Sequence, residues 1–194
     1  MARITDDTKI NRIRSSAMQR VVERGYGGAS ISEIAGSAGV AEGYLYRYYR
    51  SKADLVNDLF RSNLEELAAQ MERIIQNSAS VHEIVGGILS TLLTLTRETP
   101  DRIKFMYVLM HDYNFSIPDA LRDRIFGLCR MVKEKGWNTG EITGDISEEN
   151  IYLLGVAYPI SFINARLKSL FYDSSLDETD LDRVSQLIIK SWKD

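Results

Sequence analysis

The stretch SISEIAGSAGVAEGYLYRYYRSK, Ser30 to Lys52, decides the fold. Ser30 and Glu33 have the spacing of a capping box, in which the Ser30 hydroxyl accepts from the Glu33 amide while the Glu33 carboxylate reaches back, so a helix starts at Ile31. Gly39 permits a left-handed turn and ends that helix at about Ala38. A second short helix follows from Glu42 to about Tyr49, and Ser51-Lys52-Ala53-Asp54 is a further N-cap signature that opens a longer one. Two short helices joined by a glycine-containing turn have the geometry of a helix-turn-helix, whose second helix lies in the major groove of DNA. Ile34, Ala35, Val40 and Leu45 supply its small apolar core. The outer side of the second helix then carries Glu42, Gly43, Tyr44, Arg47 and Tyr48, with Tyr49, Arg50, Ser51 and Lys52 beyond it. Interleaved tyrosines and cations suit a phosphate backbone, because tyrosine hydroxyls donate to phosphate oxygens and Arg or Lys neutralises them. In this register Tyr46 suits core packing and phosphate contact equally well.

Working outward, Ile10, Ile13, Ala17, Val21 and Val22 recur at helical spacing from about Asp7 to Arg24, where Gly25 stands in the place of a left-handed cap. The glycines at 25, 27 and 28 precede no βαβ unit and read as a connector, not a phosphate-binding loop. The helix opened by Ser51 has Leu55, Leu59, Leu64, Leu67 and Met71 on one face. Further helical segments are expected near Val81 to Glu98, Asp101 to Asp112, Ile117 to Lys135, Glu148 to Tyr172 and Asp177 to Lys193. Breaks are expected at Pro100, Pro118, Gly136 to Gly144 and Asp173 to Ser175. No segment alternates with period two. The fold class is therefore all-α, three short N-terminal helices followed by a larger helical bundle.

Composition narrows the chemistry. With 194 residues, 44% apolar and 26% charged, the chain can bury a sizeable core. The lone Cys129 cannot form an intramolecular disulfide, and with His82 and His111 as the only histidines no structural metal site is expected. The most apolar stretch, Tyr152 to Ala165, is too short to span a bilayer and is broken by Pro159, and the N-terminus shows no hydrophobic signal core; a cytoplasmic protein is expected. The net charge of −3 hides a division: residues 1–62 carry ten basic and seven acidic groups, and the other 132 carry 14 and 20. A basic N-terminal module beside an acidic body fits a polyanionic partner for the module alone.

The run Ser30-Ile31-x-x-Ile34-Ala35-x-x-Ala38-Gly39-Val40-x-x-Gly43-x-Leu45-Tyr46-x-Tyr48-Tyr49-x-Ser51-Lys52-x-x-Leu55 resembles the DNA-binding domain of TetR-family transcriptional regulators. The resemblance implies a DNA-binding domain over residues 1–52 and an effector-binding and dimerisation domain over 53–194. It implies phosphate contacts from Ser30, Tyr46, Tyr48 and Lys52, joined by Arg50, and base-edge contacts from Ser32, Glu42, Gly43, Tyr44 and Arg47. Ala41 departs from the serine usual before the recognition helix, which removes one N-cap hydrogen bond worth roughly 0.5–2 kcal/mol.

The segment from Ile146 to Phe171 is apolar nearly all round, so it must be covered on both sides. The resemblance implies that the helices near 146–171 and 177–192 pair with those of a second copy in a homodimer, bringing two heads to successive major grooves of a palindromic site. Pro159 within the first of them is expected to produce a kink and to free the Gly155 carbonyl. The family's small-molecule effector lies among the middle helices, where Tyr107, Met110, His111, Phe126, Cys129, Tyr158 and Phe162 are the candidate lining residues. No catalytic residue, metal or cofactor is implied, and the function expected is that of a ligand-responsive repressor. Two other readings stand beside it. One is a helical protein-interaction scaffold with a degenerate head; the other is a small helical enzyme, for which no nucleophile and base spacing is present.

Overall fold

The computed structural model describes residues 6–143, 146–171 and 175–193. All regular elements among the described residues are helical: α1 Asp6–Gly28, α2 Ile31–Ala38, α3 Glu42–Leu45, α4 Lys52–Asn77, α5 Val81–Glu98, α6 Pro100–Met110, α7 Asp119–Thr139, α8 Glu148–Tyr152, α9 Tyr158–Leu167 and α10 Glu178–Ser191, with a π-helical turn Leu153–Ala157 between α8 and α9. They form two compact units, one of Met1–Leu64 with Lys104–Ile117 and one of Glu65–Ile103 with Pro118–Asp194. Helices α4 and α6 each contribute residues to both.

In the first unit, Ile13, Ala17 and Val21 of α1 are fully buried with Ile34, Ala35 and Ala38 of α2, Leu45 of α3, and Leu55, Val56, Leu59 and Phe60 of α4. Val40, expected in this core, is only half-buried. Phe115 closes the unit edge-on, its ring 4.9 Å from Phe60 and 5.7 Å from Tyr26. Gly25, expected as a left-handed cap, has a positive φ of 74° but an extended ψ of 169°, so it kinks the helix, and a further helical turn follows to Gly28.

The second unit is built on α5, whose Ile84, Val85, Leu89, Leu92 and Leu93 are buried against α7, α9 and α10. The corner between α4 and α5 is held at both helix ends by residues at the end of α7. The Lys135 ammonium donates to the carbonyls of Ile75, at 3.0 Å, and Ser78, where α4 ends. Glu141 accepts from the amides of Val81 at 2.7 Å and His82 at 3.3 Å, where α5 begins. A cation on a helix C-terminus and an anion on a helix N-terminus each satisfy groups the helix itself cannot.

Two expected boundaries differ in the structure. Helix α7 was expected to stop at Gly136 but runs through it to Thr139, and Gly140, at φ 70°, is the left-handed cap. Gly136 serves packing: a Cβ there would lie 2.4 Å from Ile142 Cγ1, and Ile142 is 2% exposed. The single helix expected from Glu148 to Tyr172 is divided. A π turn, closed by the Tyr158 amide donating to the Leu153 carbonyl, precedes Pro159, which then occupies the first turn of α9 where its missing donor costs nothing. Gly155 within the turn admits the Trp192 ring, which a Cβ would meet at 3.2 Å. Of the break expected at Asp173 to Ser175, the first two residues lie outside the described residues. Gly136→Ala overpacks this contact and should lower stability by about 1–3 kcal/mol, read as a shift of the urea midpoint with unchanged slope.

Candidate nucleic-acid interface

Helix α2 begins as its sequence dictates. The Ser30 hydroxyl oxygen accepts from the Glu33 amide at 3.2 Å, and the Glu33 carboxylate accepts from the Ser30 amide at 3.2 Å and from its hydroxyl at 2.9 Å. The Ser30 hydroxyl, then the Ser30 amide, hold the Glu33 carboxyl below its ordinary value. At the other end Gly39 is left-handed, with φ 65°, and its amide and that of Val40 return to the carbonyls of Gly36 and Ala35 at 3.1 and 3.0 Å. The chain thus turns sharply into α3.

The recognition segment is shorter than expected. Helix α3 spans Glu42–Leu45, with no side-chain cap from Ala41. The chain then tightens, because Arg47 and Tyr48 donate to the carbonyls three residues back, Tyr44 and Leu45, at 3.2 and 3.0 Å. This coil directs Leu45 and Tyr49 inward and Tyr46 and Tyr48 outward. Tyr46 is 53% exposed and Tyr48 41%, whereas Tyr49 is 8% exposed, so Tyr49 is the core aromatic.

Ties from α1 and α4 hold the segment. Arg14 donates to Asp58 at 2.6 Å, to the Ser62 hydroxyl at 2.6 Å and to the Tyr49 hydroxyl at 3.4 Å, and Tyr49 donates to Asp58 at 3.3 Å. Desolvation, opposed by the Arg14 guanidinium, leaves the Tyr49 phenol above its ordinary value. The Lys52 ammonium donates to the carbonyls of Tyr26, Gly27 and Ala29 at 2.7, 3.3 and 3.0 Å and lies 4.8 Å from the Tyr26 ring centroid. Its donors are engaged by the last turn of α1 and by Ala29 just beyond it, a role not expected from its place in the motif. At the start of α4, Ser51 accepts from the Asp54 amide at 3.1 Å and Asp54 from the Arg50 amide at 2.9 Å, while the Arg50 residue is exposed.

The base-edge candidates Ser32, Glu42, Gly43 and Arg47 are exposed, and a Cβ added at Gly43 would meet nothing within 4 Å. Half-buried Tyr44 donates to Asp6 at 2.9 Å, lies 3.4 Å from the Tyr48 hydroxyl, and has the Lys9 ammonium 4.9 Å from its ring centroid. The hydrogen bonds to Tyr48 and Asp6 raise the Tyr44 phenol well above its ordinary value. Asp6, Lys9, Arg14 and Asp58 escaped the sequence reading, because their partners are tens of residues away and no local motif marks them.

The candidate effector residues divide between the units. Tyr107, Met110 and His111 belong to the first, where exposed His111 stacks on Tyr107 at 4.1 Å and its Nδ1 lies 2.8 Å from the Tyr107 carbonyl oxygen. Phe126, Cys129, Tyr158 and Phe162 belong to the second. Cys129 is buried, which pushes its thiol up to about 11, and Phe162 packs on the core with the Arg166 guanidinium 5.3 Å from its ring centroid. Phe126 and Tyr158 are 46% and 37% exposed. A groove of about 410 Å³ in this unit is lined instead by Arg130, Lys133, Glu134, Trp137, Asn138 and Glu148.

Residues 13–59 match the family described as bacterial regulatory proteins, tetR family. A fatty acid metabolism regulator protein of Bacillus subtilis is 31% identical over 137 residues, 69% of this chain and 71% of that protein. The chain belongs to the TetR family. As a member it is a ligand-responsive, DNA-binding transcriptional regulator, and regulators of the family bind DNA as dimers. The fold agrees with a TetR-family regulator from Marinobacter aquaeolei, with a TM-score of 0.80, 15% identity and 96% of each chain covered. It agrees also with the regulator FadR of Bacillus subtilis in complex with stearoyl-CoA, with a TM-score of 0.69, 20% identity and 93% and 95% covered. No helix among the described residues is long and apolar enough to cross a membrane.

Because Ser30 caps α2 through its side chain, Ser30→Ala should lower stability by about 0.5–2 kcal/mol. The Glu33 carboxylate is favoured in the folded state, so its share of this effect is present above the ordinary value of 4.5 and fades as pH falls through the lowered folded value. The gap between thermal melts of the two proteins should narrow from neutral to strongly acidic pH without closing, because the Ser30 hydroxyl still caps the Glu33 amide.

Proposed function

We propose that the chain is a dimeric repressor whose heads grip a palindromic operator through α2, α3 and the turn after it, and which a long-chain fatty acyl thioester releases. The observation that carries the DNA reading is the row of outward tyrosines and cations, Tyr44, Tyr46, Arg47, Tyr48 and Arg50, presented directly after the Gly39 turn. In this reading Tyr46, Tyr48, Arg50 and Ser30 contact phosphates, while Ser32, Glu42, Gly43, Tyr44 and Arg47 face base edges. Lys52 acts by holding the end of α1 against the start of α4. Residues 1–52 form the DNA-binding domain and 53–194 the effector-binding and dimerisation domain.

Self-association is supported by exposed Leu153, Tyr158 and Leu167 around α8 and α9 and Leu187 on α10, large apolar side chains that a single copy leaves in water. The acyl thioester is supported by the fatty acid metabolism regulator that the chain resembles over most of its length, and by the stearoyl-CoA that FadR, with the same fold, holds. The interior of the second unit, with Cys129, Tyr152 and Phe162 on its aliphatic core, is apolar enough to take an acyl chain. The effector acts through its different affinities for the DNA-competent and released conformations. In this reading the chain works in the cytoplasm by binding alone, without catalysis.

Fluorescence-anisotropy titration against DNA flanking its own gene, over a salt series with unrelated duplex as competitor, tests the DNA reading. Specific binding should weaken steeply with salt. Arg50→Ala should weaken specific and competitor binding alike and reduce the salt slope by about 0.9. Stearoyl-CoA added to the preformed complex should release the DNA, whereas free coenzyme A should not; release by neither assigns the effector to another chemical class.

A further inference from the structure

Tyr44 stands at the centre of α3, yet its hydroxyl is already engaged by a residue from the other end of the head. Asp6, in the first turn of α1, accepts from it at 2.9 Å. The Tyr44 ring is further confined by Tyr48, tilted at a centroid distance of 5.4 Å, by the Lys9 ammonium at 4.9 Å and by the Arg47 guanidinium at 5.8 Å. Asp6 is exposed, so its carboxylate lies in water beside the cluster of tyrosines and cations around Tyr44. A carboxylate beside a surface that meets a polyanion opposes every approach to DNA, whatever the sequence.

We propose that Asp6 is a specificity-determining positioning residue of the DNA-binding head. Its hydrogen bond fixes the Tyr44 hydroxyl in one orientation towards the base edges, and its charge lowers affinity for all duplexes alike. The first effect raises discrimination and the second suppresses non-specific binding. This rests on the reading of α3 as the element that enters the groove.

The two effects separate in substitution. Full-length protein is used to select a preferred duplex from a random pool, and its affinity is compared with that for a scrambled duplex of equal length. Asp6→Asn keeps an acceptor for Tyr44 and loses the charge, so both affinities should rise about threefold or more at low salt while the preference is retained. Asp6→Ala should raise the scrambled affinity equally and lose about three- to tenfold in preference. Asp7 remains in the first turn of α1 in both variants, so the helix keeps an acid at its N-terminus. Tyr44→Phe should lose preference by the same factor as Asp6→Ala, and the double variant no more than either alone. Losses that add in the double variant, or an Asp6→Ala protein with its full preference, would overturn the proposal while leaving the DNA reading in place. A wild-type protein that selects no duplex would overturn both.

Discussion

A helix of four residues without an N-cap does not hold itself together in water, because nucleation costs more than its one or two hydrogen bonds return. Helix α3 is such a helix, and the rest of the head is organised around that constraint. The Arg14 guanidinium reaches across from α1 to Asp58 and Ser62 of α4 and to Tyr49, which ends the recognition segment. Leu45 anchors the inner side and Tyr49 the exit, so the outward tyrosines owe their placement to tertiary contacts and not to helix propensity. The head can therefore present Gly43, a poor choice for a free-standing helix, where the proposed base-edge contacts lie.

Burial divides the charged groups by role. Arg14 and Asp58 are partly shielded from water and determine geometry, and Lys52 spends its three donors on backbone carbonyls. Arg47 and Arg50 are exposed, and in the proposed reading they supply attraction to a polyanion at little structural cost. The second unit uses the same economy at the α4 and α5 corner, where Lys135 and Glu141 each meet the helix end of opposite polarity. Helix α4 is thus gripped near its start by Arg14 and at its end by Lys135, within the two separate units.

The head was largely legible because its signals are local: a capping box, a left-handed glycine and a second N-cap, each within four residues. The length of α3 was not, since the change from α-helical to tighter turns after Leu45 follows from where Tyr49 packs. Nor could sequence choose between core packing and phosphate contact for Tyr46, because the pitch of the coil changes just before it and Tyr49 takes the core place. Lys52 was legible as a cation in the motif, but its partners at 26, 27 and 29 come from the end of α1 and the residue just past it, where no pattern marks them. In the second unit glycine misled: Gly136 resembles a stop signal, and only Ile142 pressed against its Cα reveals a packing position. The effector residues were the least legible, since methionine and aromatic side chains serve cores and ligand walls equally.

The π turn at Leu153–Ala157 has a consequence for how this region can change over time. A π turn is one residue more than an α-helix needs for the same rise, so it behaves as an insertion absorbed without breaking the rod. Deleting one residue there would restore an uninterrupted α-helix while the residues on either side keep their facing, because the turn already holds the extra residue. Ile163 would stay buried and Leu167 exposed. A codon can therefore be lost at this turn with the surfaces of α9 unchanged, whereas the same loss inside α9 would swing every later side chain by about 100°.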